Sequence, residues 1–336
     1  MKIGYIGLGR MGKNMVLNLL EKGIEVVAYN RSPEPREELQ KEASQLKSGS
    51  ENLKVADNLG ELVTELRNNK EDPGQARMTE GEDGIVIWLM ISAGAAIDAV
   101  LEELSDKLTS GDLVIDGGNS LYTDTLRRGK MLSQKGIHYM DAGTSGGIEG
   151  ARNGACIMAG GSEEDFKKVE PVLKAAAQPG AYAYLGPLGA GHFAKTIHNG
   201  IEYGMMQAIG EGAAILKNSG FPYDLREVFR IYNTGSIIES RLVGWTLAEL
   251  KNDPELANIT SVIGSGGGAG KTKGEAHWTV ELAKKLGVGV PVIEASVAVR
   301  DNSDQDKEDS PNGFRNKIVA AMRWQFGRHP VKKQIP

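Results

Sequence analysis

The first thirty residues alternate between apolar runs and polar or glycine-rich segments. Residues 2–7 form a short apolar run, and apolar residues then recur at helical spacing, as at Met15 and Leu19. Gly23 ends that pattern, and a second apolar run covers residues 24–29. Short apolar runs bounded by turn residues are typical of buried strands, and apolar residues three or four positions apart are typical of helices. These residues therefore predict one βαβ unit.

Two later apolar runs extend the same alternation, at residues 84–90 and 113–116. Each ends where a polar or glycine-rich loop begins. Strands that alternate with helices predict a parallel, doubly wound sheet. After about Gly186 the pattern changes to long helical stretches. We therefore expect a Rossmann-type α/β domain over residues 1–186 and a mostly α-helical second domain over residues 187–336.

Two polar segments are expected to face solvent. Residues 32–82 are rich in Glu, Lys, Ser and Asn, which indicates surface and loop insertions between strands. Residues 301–312 form a second polar run. This run predicts a mobile loop ahead of a last helix over residues 318–324.

The composition agrees with a globular protein of two domains, because 336 residues are too many for one ordinary core. A net charge of −5 gives no reason to expect a nucleic acid or a membrane surface as partner, so an anionic substrate would need a local basic cluster. Cys156 is the single cysteine, which excludes an intrachain disulfide and a thiolate metal cluster. The N-terminal residues lack a signal-peptide pattern, and no apolar run reaches the roughly 20 residues of a membrane helix. We expect a cytoplasmic protein.

The segment between the first strand and the first helix has the glycine pattern of a dinucleotide site. It reads Gly7-Leu8-Gly9-Arg10-Met11-Gly12. Glycines allow a tight turn and close approach of a pyrophosphate, and the helix N-terminus supplies amide donors and a positive dipole. A tight turn without a ligand is the alternative, since such hexapeptides also arise by chance in a chain with 44 glycines.

The end of the second strand bears on the choice of cofactor. NAD sites usually carry an Asp or Glu about 20 residues after the glycines, which accepts a hydrogen bond from the ribose 2′-hydroxyl. This chain has Asn30, Arg31 and Ser32 there. An amide, a guanidinium and a hydroxyl suit a 2′-phosphate, which a carboxylate would repel. The residues favour NADP, and NAD stays possible because a solvated loop charge is the alternative for Arg31.

Residues 189–210 predict a helix with two distinct stripes. One stripe is apolar and contains Ile197, Ile201, Met205, Ala208 and Ile209. The other is polar, with residues at i, i+3, i+4, i+7 and i+8, namely Lys195, His198, Asn199, Glu202 and Tyr203. Only Lys195 and Glu202 are formally charged between residues 189 and 210. We therefore expect the polar stripe to face a cavity.

This polar stripe suggests acid–base chemistry. Desolvation lowers the pKa of a buried lysine, which makes Lys195 a candidate general base. Glu202 lies two helical turns further on, about 10 Å along the axis, where it can act at another substrate atom. The structural alternative gives Lys195 and Glu202 fixed partners and makes His198 a core histidine.

Four segments resemble the 6-phosphogluconate dehydrogenase family of the β-hydroxyacid dehydrogenase superfamily. They are the glycine motif, the Asp-Gly-Gly-Asn-Ser segment from residue 116 with the residues up to 128, Gly-Thr-Ser-Gly-Gly at residues 143–147, and His-Asn-Gly-Ile-Glu-Tyr-Gly at residues 198–204. The resemblance covers nearly the whole chain and is most specific at the last segment. With a single helical segment, the chain is similar to the short form of the family.

The resemblance implies roles for individual residues. It makes Lys195 the general base and Glu202 the general acid. It implies substrate contacts from Asn119, Ser145, Gly146, Gly147, His198, Asn199 and Tyr203. Beside the glycine motif, it implies cofactor contacts from Met90, Ala93 and Asn119.

The resemblance also implies a set of basic residues that bind a substrate phosphate, called the basic set below. Arg300 matches a phosphate ligand of the family, and Lys273 fits a second position better than Lys271, although that choice stays open. Arg323 and His329 match a tail that reaches the site of a neighbouring subunit. We therefore expect a homo-oligomer, a dimer or a tetramer, with sites shared between subunits.

The implied reaction is the oxidative decarboxylation of 6-phosphogluconate to ribulose 5-phosphate and CO2 in the pentose phosphate pathway, with reduction of NADP and without a metal. A rival enzyme is another β-hydroxyacid dehydrogenase that acts on a small unphosphorylated acid, but it leaves the basic set unexplained. A rival of another class is a non-catalytic dinucleotide-binding redox sensor. The presence of both Lys195 and Glu202 argues against that rival.

Overall fold

The structure, a computed structural model, describes residues 1–68, 84–264 and 274–328 together with Val331. Its contacts divide the chain into two compact units, Met1–Lys195 and Thr196–Pro336. This division falls within a long helix, whereas the boundary predicted from the sequence lies in the loop ahead of that helix.

The first unit is built on one eight-stranded sheet. Its strands are β1 (Lys2–Ile6), β2 (Glu25–Tyr29), β3 (Leu53–Val55), β4 (Val86–Leu89), β5 (Leu113–Asp116), β6 (His138–Ser145), β7 (Ala155–Gly160) and β8 (Ala177–Tyr184). Their order across the sheet is β3-β2-β1-β4-β5-β6-β7-β8. Neighbouring strands are parallel except for β6 with β7. The predicted doubly wound sheet is confirmed, and the carboxyl ends of its parallel strands provide the edge at which such folds bind ligands.

Helices cover both faces of this sheet. They are α1 (Arg10–Glu21), α2 (Glu34–Ala43), α3 (Leu59–Arg67), α4 (Ala95–Ser105), α5 (Tyr122–Ser133), α6 (Gly147–Asn153) and α7 (Glu163–Ala176). Successive strand residues enter opposite cores: Trp88 packs in the core with α1 and α7, and Ile87 packs in the core with α3 and α4. Because the centre of the sheet is buried on both faces, its central strands β1, β4 and β5 are nearly continuous apolar runs, as the sequence indicated.

The second unit is mostly helical, which confirms that prediction. α8 (Ala190–Lys217) begins in the first unit and is followed by α9 (Leu225–Tyr232), α10 (Arg241–Asn252), α11 (Glu275–Leu286), α12 (Pro291–Asp301) and α13 (Pro311–Gly327). Met206, Leu250 and Ile318 are completely buried in its core. Among the helices of the described residues, none has the length and hydrophobicity that crossing a membrane requires.

The expectation that residues 32–82 are solvated loop insertions is wrong for the part that the structure describes, residues 32–68. This stretch contains α2, β3 and α3, and both Leu39 of α2 and Leu62 of α3 are completely buried. α2 buries only one narrow stripe, so most of its residues are polar and its composition is that of a surface loop. Residues 69–83 lie outside the described residues.

The expected loop over residues 301–312 is present at residues 302–310, between α12 and α13, but the predicted start of the last helix needs correction. The last helix begins at Pro311, well before residue 318, and Ser310 Oγ accepts a hydrogen bond from the Gly313 amide at 3.0 Å. Ahead of it, Asp306 accepts from Arg315 Nη2 at 2.8 Å and from Asn316 Nδ2 at 3.0 Å. Polar residues here cap the helix and hydrogen-bond its first turns. Their composition is the same as that of a solvated loop.

Leu39→Ala tests whether α2 belongs to the packed core. We expect this change to lower the free energy of unfolding by about 2–5 kcal/mol, because it leaves a cavity at a completely buried site. The neighbouring exposed residue offers a matched control, and Gln40→Ala should change the free energy by less than about 0.5 kcal/mol. Urea unfolding followed by circular dichroism measures both. Equal values for the two variants would mean that α2 is not part of the core.

Candidate functional site

The fold requires glycine at two positions of the first loop, Gly7 and Gly12, whereas the third glycine, Gly9, leaves open space. Gly7 has a φ of +101°, and a Cβ there would lie 2.4 Å from the Met90 carbonyl oxygen. A Cβ on Gly12 would lie 1.9 Å from the carbonyl oxygen of Gly7. A Cβ on Gly9 would meet nothing within 4 Å. Open space at Gly9, directly at the start of α1, is what a pyrophosphate needs.

The first turn of α1 also suits an anion. Gly9 is its N-cap residue, so no side chain caps the helix there. The N–H groups of a first helical turn lack partners within the helix and carry the positive end of its dipole. Leu8 is buried, so only its backbone borders the loop, whereas Arg10 is exposed and Met11 is half-buried. The loop therefore fits a dinucleotide phosphate.

Asn30 joins the glycine loop to the turn after β2. Its Oδ1 accepts a hydrogen bond from the Leu8 amide at 3.0 Å, and its Nδ2 donates to the Ser32 carbonyl oxygen at 3.1 Å. The Asn30 side chain thus shapes the loop through backbone atoms. Arg31 and Ser32 are exposed, and the described part of the chain contains no carboxylate in an ion pair with Arg31.

The expected cofactor contacts after β4 lie beside this loop. Met90 follows β4, and its amide donates to the Ile6 carbonyl oxygen at 2.8 Å. It is half-buried, whereas Ala93 is exposed in the turn ahead of α4. Both therefore follow the carboxyl end of a central strand.

A buried polar network supports the half-buried Asn119. Asp116, at the end of β5, is completely buried and accepts from the Gly118 amide at 3.0 Å and from Ser120 Oγ at 2.7 Å. Arg128 of α5 is also completely buried and donates to Ser120 Oγ at 3.1 Å. Bonds to the residues on both sides of Asn119 fix the course of its loop.

Tyr139 and Asp98 complete this network. Burial, and secondly Asp116, raise the pKa of Tyr139, so its hydroxyl stays protonated and donates to Asp116 Oδ2 at 3.0 Å. Arg128 Nε donates to Asp98 Oδ1 at 2.8 Å. Reasoning from the sequence assigned no role to Arg128 and Tyr139. The one indication was that both follow an apolar strand, β5, that ends in a buried aspartate.

The expected Ser145, Gly146 and Gly147 form the turn from β6 into α6. Gly146 has a φ of +120° and Gly147 a φ of +64°, conformations that favour glycine. Ser145 ends β6 and is half-buried. The turn therefore presents a hydroxyl and the first amides of α6 at the same end of β6.

Lys195 lies within the first unit on the first turns of α8. Its exposed fraction is 9%. A Cβ on Gly143 of β6 would lie only 2.6 Å from the Lys195 Cβ. The missing side chain at Gly143 therefore lets α8 approach β6 closely at the position of Lys195.

The polar stripe of α8 continues into the second unit. Asn199 and Tyr203 are buried there, and His198 and Glu202 are partly exposed. His198 Nδ1 lies 3.7 Å from Glu202 Oε2 and 3.2 Å from Asn199 Oδ1. An imidazole, a carboxylate and an amide are thus adjacent on one face of the helix.

A buried cationic cluster lies beside Tyr203 in the second unit. The guanidinium of Arg300 stacks on the Tyr203 ring at 3.4 Å from its centroid, and Arg300 and Arg323 are only 6% and 4% exposed. Burial, together with the nearby Arg300, lowers the pKa of Arg323 to about 10. The Arg323 guanidinium therefore stays charged at neutral pH. Glu275 and Glu202 act on Arg323 in the opposite sense, but more weakly than burial and Arg300.

The structure places Arg323 within its own helical unit. It is buried next to Arg300 and Tyr203, and its expected reach to the site of a neighbouring subunit stays a prediction. Trp324 and Phe326 likewise pack against the core of that unit. α13 continues through these residues, so they are part of a packed helix. Lys271, Lys273 and His329 lie outside the described residues.

Comparisons with known proteins agree with this geometry. Residues 2–186 match the family model of the NAD binding domain of 6-phosphogluconate dehydrogenase. Residues 191–332 match the model of the C-terminal domain of 6-phosphogluconate dehydrogenase. The two matches together extend over both units of the chain.

Three individual proteins are similar over most of the chain. YqeC of Bacillus subtilis, provisionally named a 6-phosphogluconate dehydrogenase, is 40% identical over 99% of this chain and 100% of its own length. The NAD(+)-dependent, decarboxylating 6-phosphogluconate dehydrogenase of Haloferax volcanii is 34% identical over 99% of each chain. The structure of Plasmodium falciparum 6-phosphogluconate dehydrogenase, studied with NADP+ and with 6-phosphogluconate, matches 96% of this chain and 70% of that chain at 31% identity and a TM-score of 0.74. The chain therefore belongs to the 6-phosphogluconate dehydrogenase family.

Proposed function

We propose that this protein oxidises and decarboxylates 6-phosphogluconate to ribulose 5-phosphate and CO2, with NADP as its preferred cofactor. The buried pair Arg300 and Arg323 is the observation that carries the proposal. Two adjacent buried cations repel each other and lose hydration, and a bound dianion offsets both costs. A substrate phosphate adds two negative charges to those of the nearby Glu275 and Glu202, whereas an unphosphorylated acid does not.

The proposed acid–base steps are assigned to α8. The nicotinamide ring supplies the hydride acceptor when the cofactor is bound. Lys195 takes the proton of the 3-hydroxyl as that carbon is oxidised. The resulting 3-keto acid loses CO2 because its carbonyl accepts the electron pair released at C2, and Glu202 then helps to protonate C1 of the enediol. Two groups on one helix thereby act at two different substrate carbons.

Substrate orientation is proposed for the remaining polar residues. Asn119, Ser145 and the Gly146 and Gly147 amides suit the hydroxyls and the carboxylate, because each presents a hydrogen-bonding group from a loop or turn with a fixed backbone. In the second unit, His198, Asn199 and Tyr203 contribute from one helix face. Lys273 is proposed as a further phosphate ligand on the resemblance alone.

NADP is proposed over NAD from the turn after β2. The Asn30 side chain forms hydrogen bonds with backbone atoms, so Arg31 and Ser32 are the residues that remain to bind a 2′-phosphate. A guanidinium binds phosphate through paired, charge-assisted hydrogen bonds. No carboxylate lies among these three residues to repel the phosphate.

We also propose a homo-oligomer, at least a dimer, that forms through an exposed stripe of α8. The stripe contains Ile201, Met205, Ala208, Gly212 and Ile215. Ile201 and Ile215 are 53% and 71% exposed, although they are large and apolar. The intervals of four, three, four and three residues are those of a helix that packs along another helix.

The middle of this stripe is made of small residues. Ala208 is exposed, and a Cβ on Gly212 would meet nothing within 4 Å. Small residues at the centre allow a second helix to approach closely, and the larger ones at both ends supply apolar area. A second copy of the chain, which carries the same stripe, fits this pattern. Sharing of sites between subunits, through Arg323 and His329, stays a prediction.

A turnover assay tests the proposed reaction. With 6-phosphogluconate and NADP we expect absorbance of the reduced nicotinamide and release of CO2 in equal amounts, and with gluconate much lower kcat/KM. A panel of sugar acids with and without phosphate, measured with each cofactor, separates the possibilities. Equal turnover of unphosphorylated β-hydroxyacids would favour the rival dehydrogenase, and cofactor binding without any turnover would favour the redox sensor.

Lys195→Met tests the proposed base. We expect kcat to fall by a factor of about 1,000, since a general base contributes 10²–10⁴-fold, with dissociation constants for substrate and cofactor within about tenfold of wild type. Lys217→Met, which removes an ion pair with Glu255 at the end of the same helix, is the control and should keep wild-type kcat. Near-native activity of Lys195→Met would rule out its assignment as base.

Arg31→Ala tests the cofactor proposal. The loss of a charge-assisted contact should weaken NADP binding by about 2 kcal/mol, about 30-fold in Kd. NAD affinity, which serves as the internal control, should stay within about twofold because NAD lacks the 2′-phosphate. Fluorescence titration of each cofactor gives both constants. An equal loss for both cofactors would assign Arg31 to the loop or to the adenine.

Gly212→Arg tests the oligomer. A long cation at the centre of the stripe should block close helix approach and shift the molar mass from light scattering towards that of one chain. Asn252→Arg, at the exposed end of α10, adds the same side chain elsewhere and should leave the mass unchanged. An unchanged oligomer in the Gly212 variant would exclude this stripe as the interface.

A further inference from the structure

A completely buried carboxylate lies at the start of α8. Asp141 is in the middle of β6, and its exposed fraction is 0%. Its Oδ1 accepts a hydrogen bond from the Gly189 amide at 2.7 Å, and its Oδ2 accepts from the His192 amide at 2.6 Å. Asp141 thus binds two N–H groups at the N-terminus of α8, where a negative charge is stabilised by the helix dipole.

The contact between α8 and the adjacent strands β6 and β7 has almost no spare volume, with Met158 and Gly160 contributed by β7. A Cβ on Gly191 would lie 2.2 Å from the Met158 carbonyl oxygen, and a Cβ on Gly160 would lie 2.6 Å from Asp141 Oδ1. Gly143 is two residues after Asp141 and therefore on the same face of β6. A Cβ there would lie 2.6 Å from the Lys195 Cβ. The same face of β6 therefore contacts α8 at two points. The Asp141 carboxylate binds the helix N-terminus, and the Gly143 backbone packs directly against Lys195.

A third bond comes from α5. Thr125 Oγ1 lies 2.7 Å from His192 Nδ1, and both residues are buried. His192 is therefore held by its backbone to β6 and by its ring to α5. Bonds from two directions fix the rotation of the first turn about its axis as well as its height above the sheet.

We infer that Asp141 is a positioning residue for Lys195: it sets where the proposed base stands by fixing the first turn of α8 on β6. This inference rests on the proposed function of Lys195. An asparagine has the same shape as aspartate, but it has only one acceptor oxygen and would turn an NH2 group towards one of the two amides. The first turn would then shift, and a small displacement of a reacting group lowers kcat strongly.

Asp141→Asn is the direct test. We expect kcat with 6-phosphogluconate and NADP to fall at least tenfold, while the Kd for NADP stays within about twofold, because the glycine loop does not contact Asp141. The apparent pKa on the pH profile of kcat/KM should also move by about half a unit or more, since a displaced base has a changed environment. A purely structural role would leave that profile in place.

Asp165→Asn is a matched control from the same unit. Asp165 is also a buried carboxylate in a first helical turn, where it pairs with His138 at 2.7 Å and with Ser162. It belongs to α7, which does not carry Lys195. This variant should lose a similar amount of stability in urea and keep the wild-type kcat and pH profile.

Gly143→Ala keeps the inference testable if Asp141→Asn does not fold. The added methyl group must push against the Lys195 Cβ while the Asp141 bonds stay in place, so kcat should again fall at least tenfold. Wild-type kcat in either folded variant, or an equal loss in Asp165→Asn, would overturn the inference.

A measurement without turnover separates this inference from the proposed function. The rate at which an amine-reactive anhydride modifies Lys195, followed by mass spectrometry of its peptide, should change in Asp141→Asn and not in Asp165→Asn. If the wild-type protein does not turn over 6-phosphogluconate, the proposed function fails, and this rate still decides whether Asp141 positions Lys195. An unchanged rate in Asp141→Asn would reject the positioning role.

Discussion

The close contact between the first turn of α8 and strand β6 is the constraint on which the candidate site depends. It is possible only because Gly143 of β6, Gly160 of the neighbouring β7 and Gly191 of α8 lack side chains where these backbones meet. Asp141 adds the polar part of the contact by accepting two helix amides. Since α8 is one continuous helix, the placement of its first turn also decides which way Lys195 faces.

Buried charge is treated in two different ways in this protein. Asp116 and Asp141 are register partners on adjacent strands, and each is compensated within the first unit, by Arg128 and hydroxyl donors in one case and by helix amides in the other. Arg300 and Arg323 are placed beside each other in the second unit, where the repulsion from Arg300 acts on Arg323 more strongly than the attraction of Glu275 and Glu202. Compensated charges hold a fold, whereas a pair of like charges favours an anionic ligand.

Several features followed from the sequence because they depend on local chemistry. The glycine loop, the run at residues 113–116 and the polar stripe of α8 each obey a short-range rule of turn geometry, strand burial or helical spacing. The structure of residues 32–68 did not follow from the sequence, because a helix with one buried stripe at Leu39 has the composition of a solvated loop. The polar residues on the exposed faces of such a helix dominate its composition, so the one packed face cannot be identified from composition.

Spacing along the chain was enough to predict the βαβ start, the change from alternating elements to helices, and which residues of α8 share a face. Three features became evident only in the folded chain: Ile201 and Ile215 are exposed, Arg323 is buried near Arg300, and Asp141 accepts amides 48 and 51 residues away. Each of these depends on contacts between segments that are distant in sequence. Periodicity shows that a face is apolar or charged, but which face meets a neighbour is decided when the elements pack.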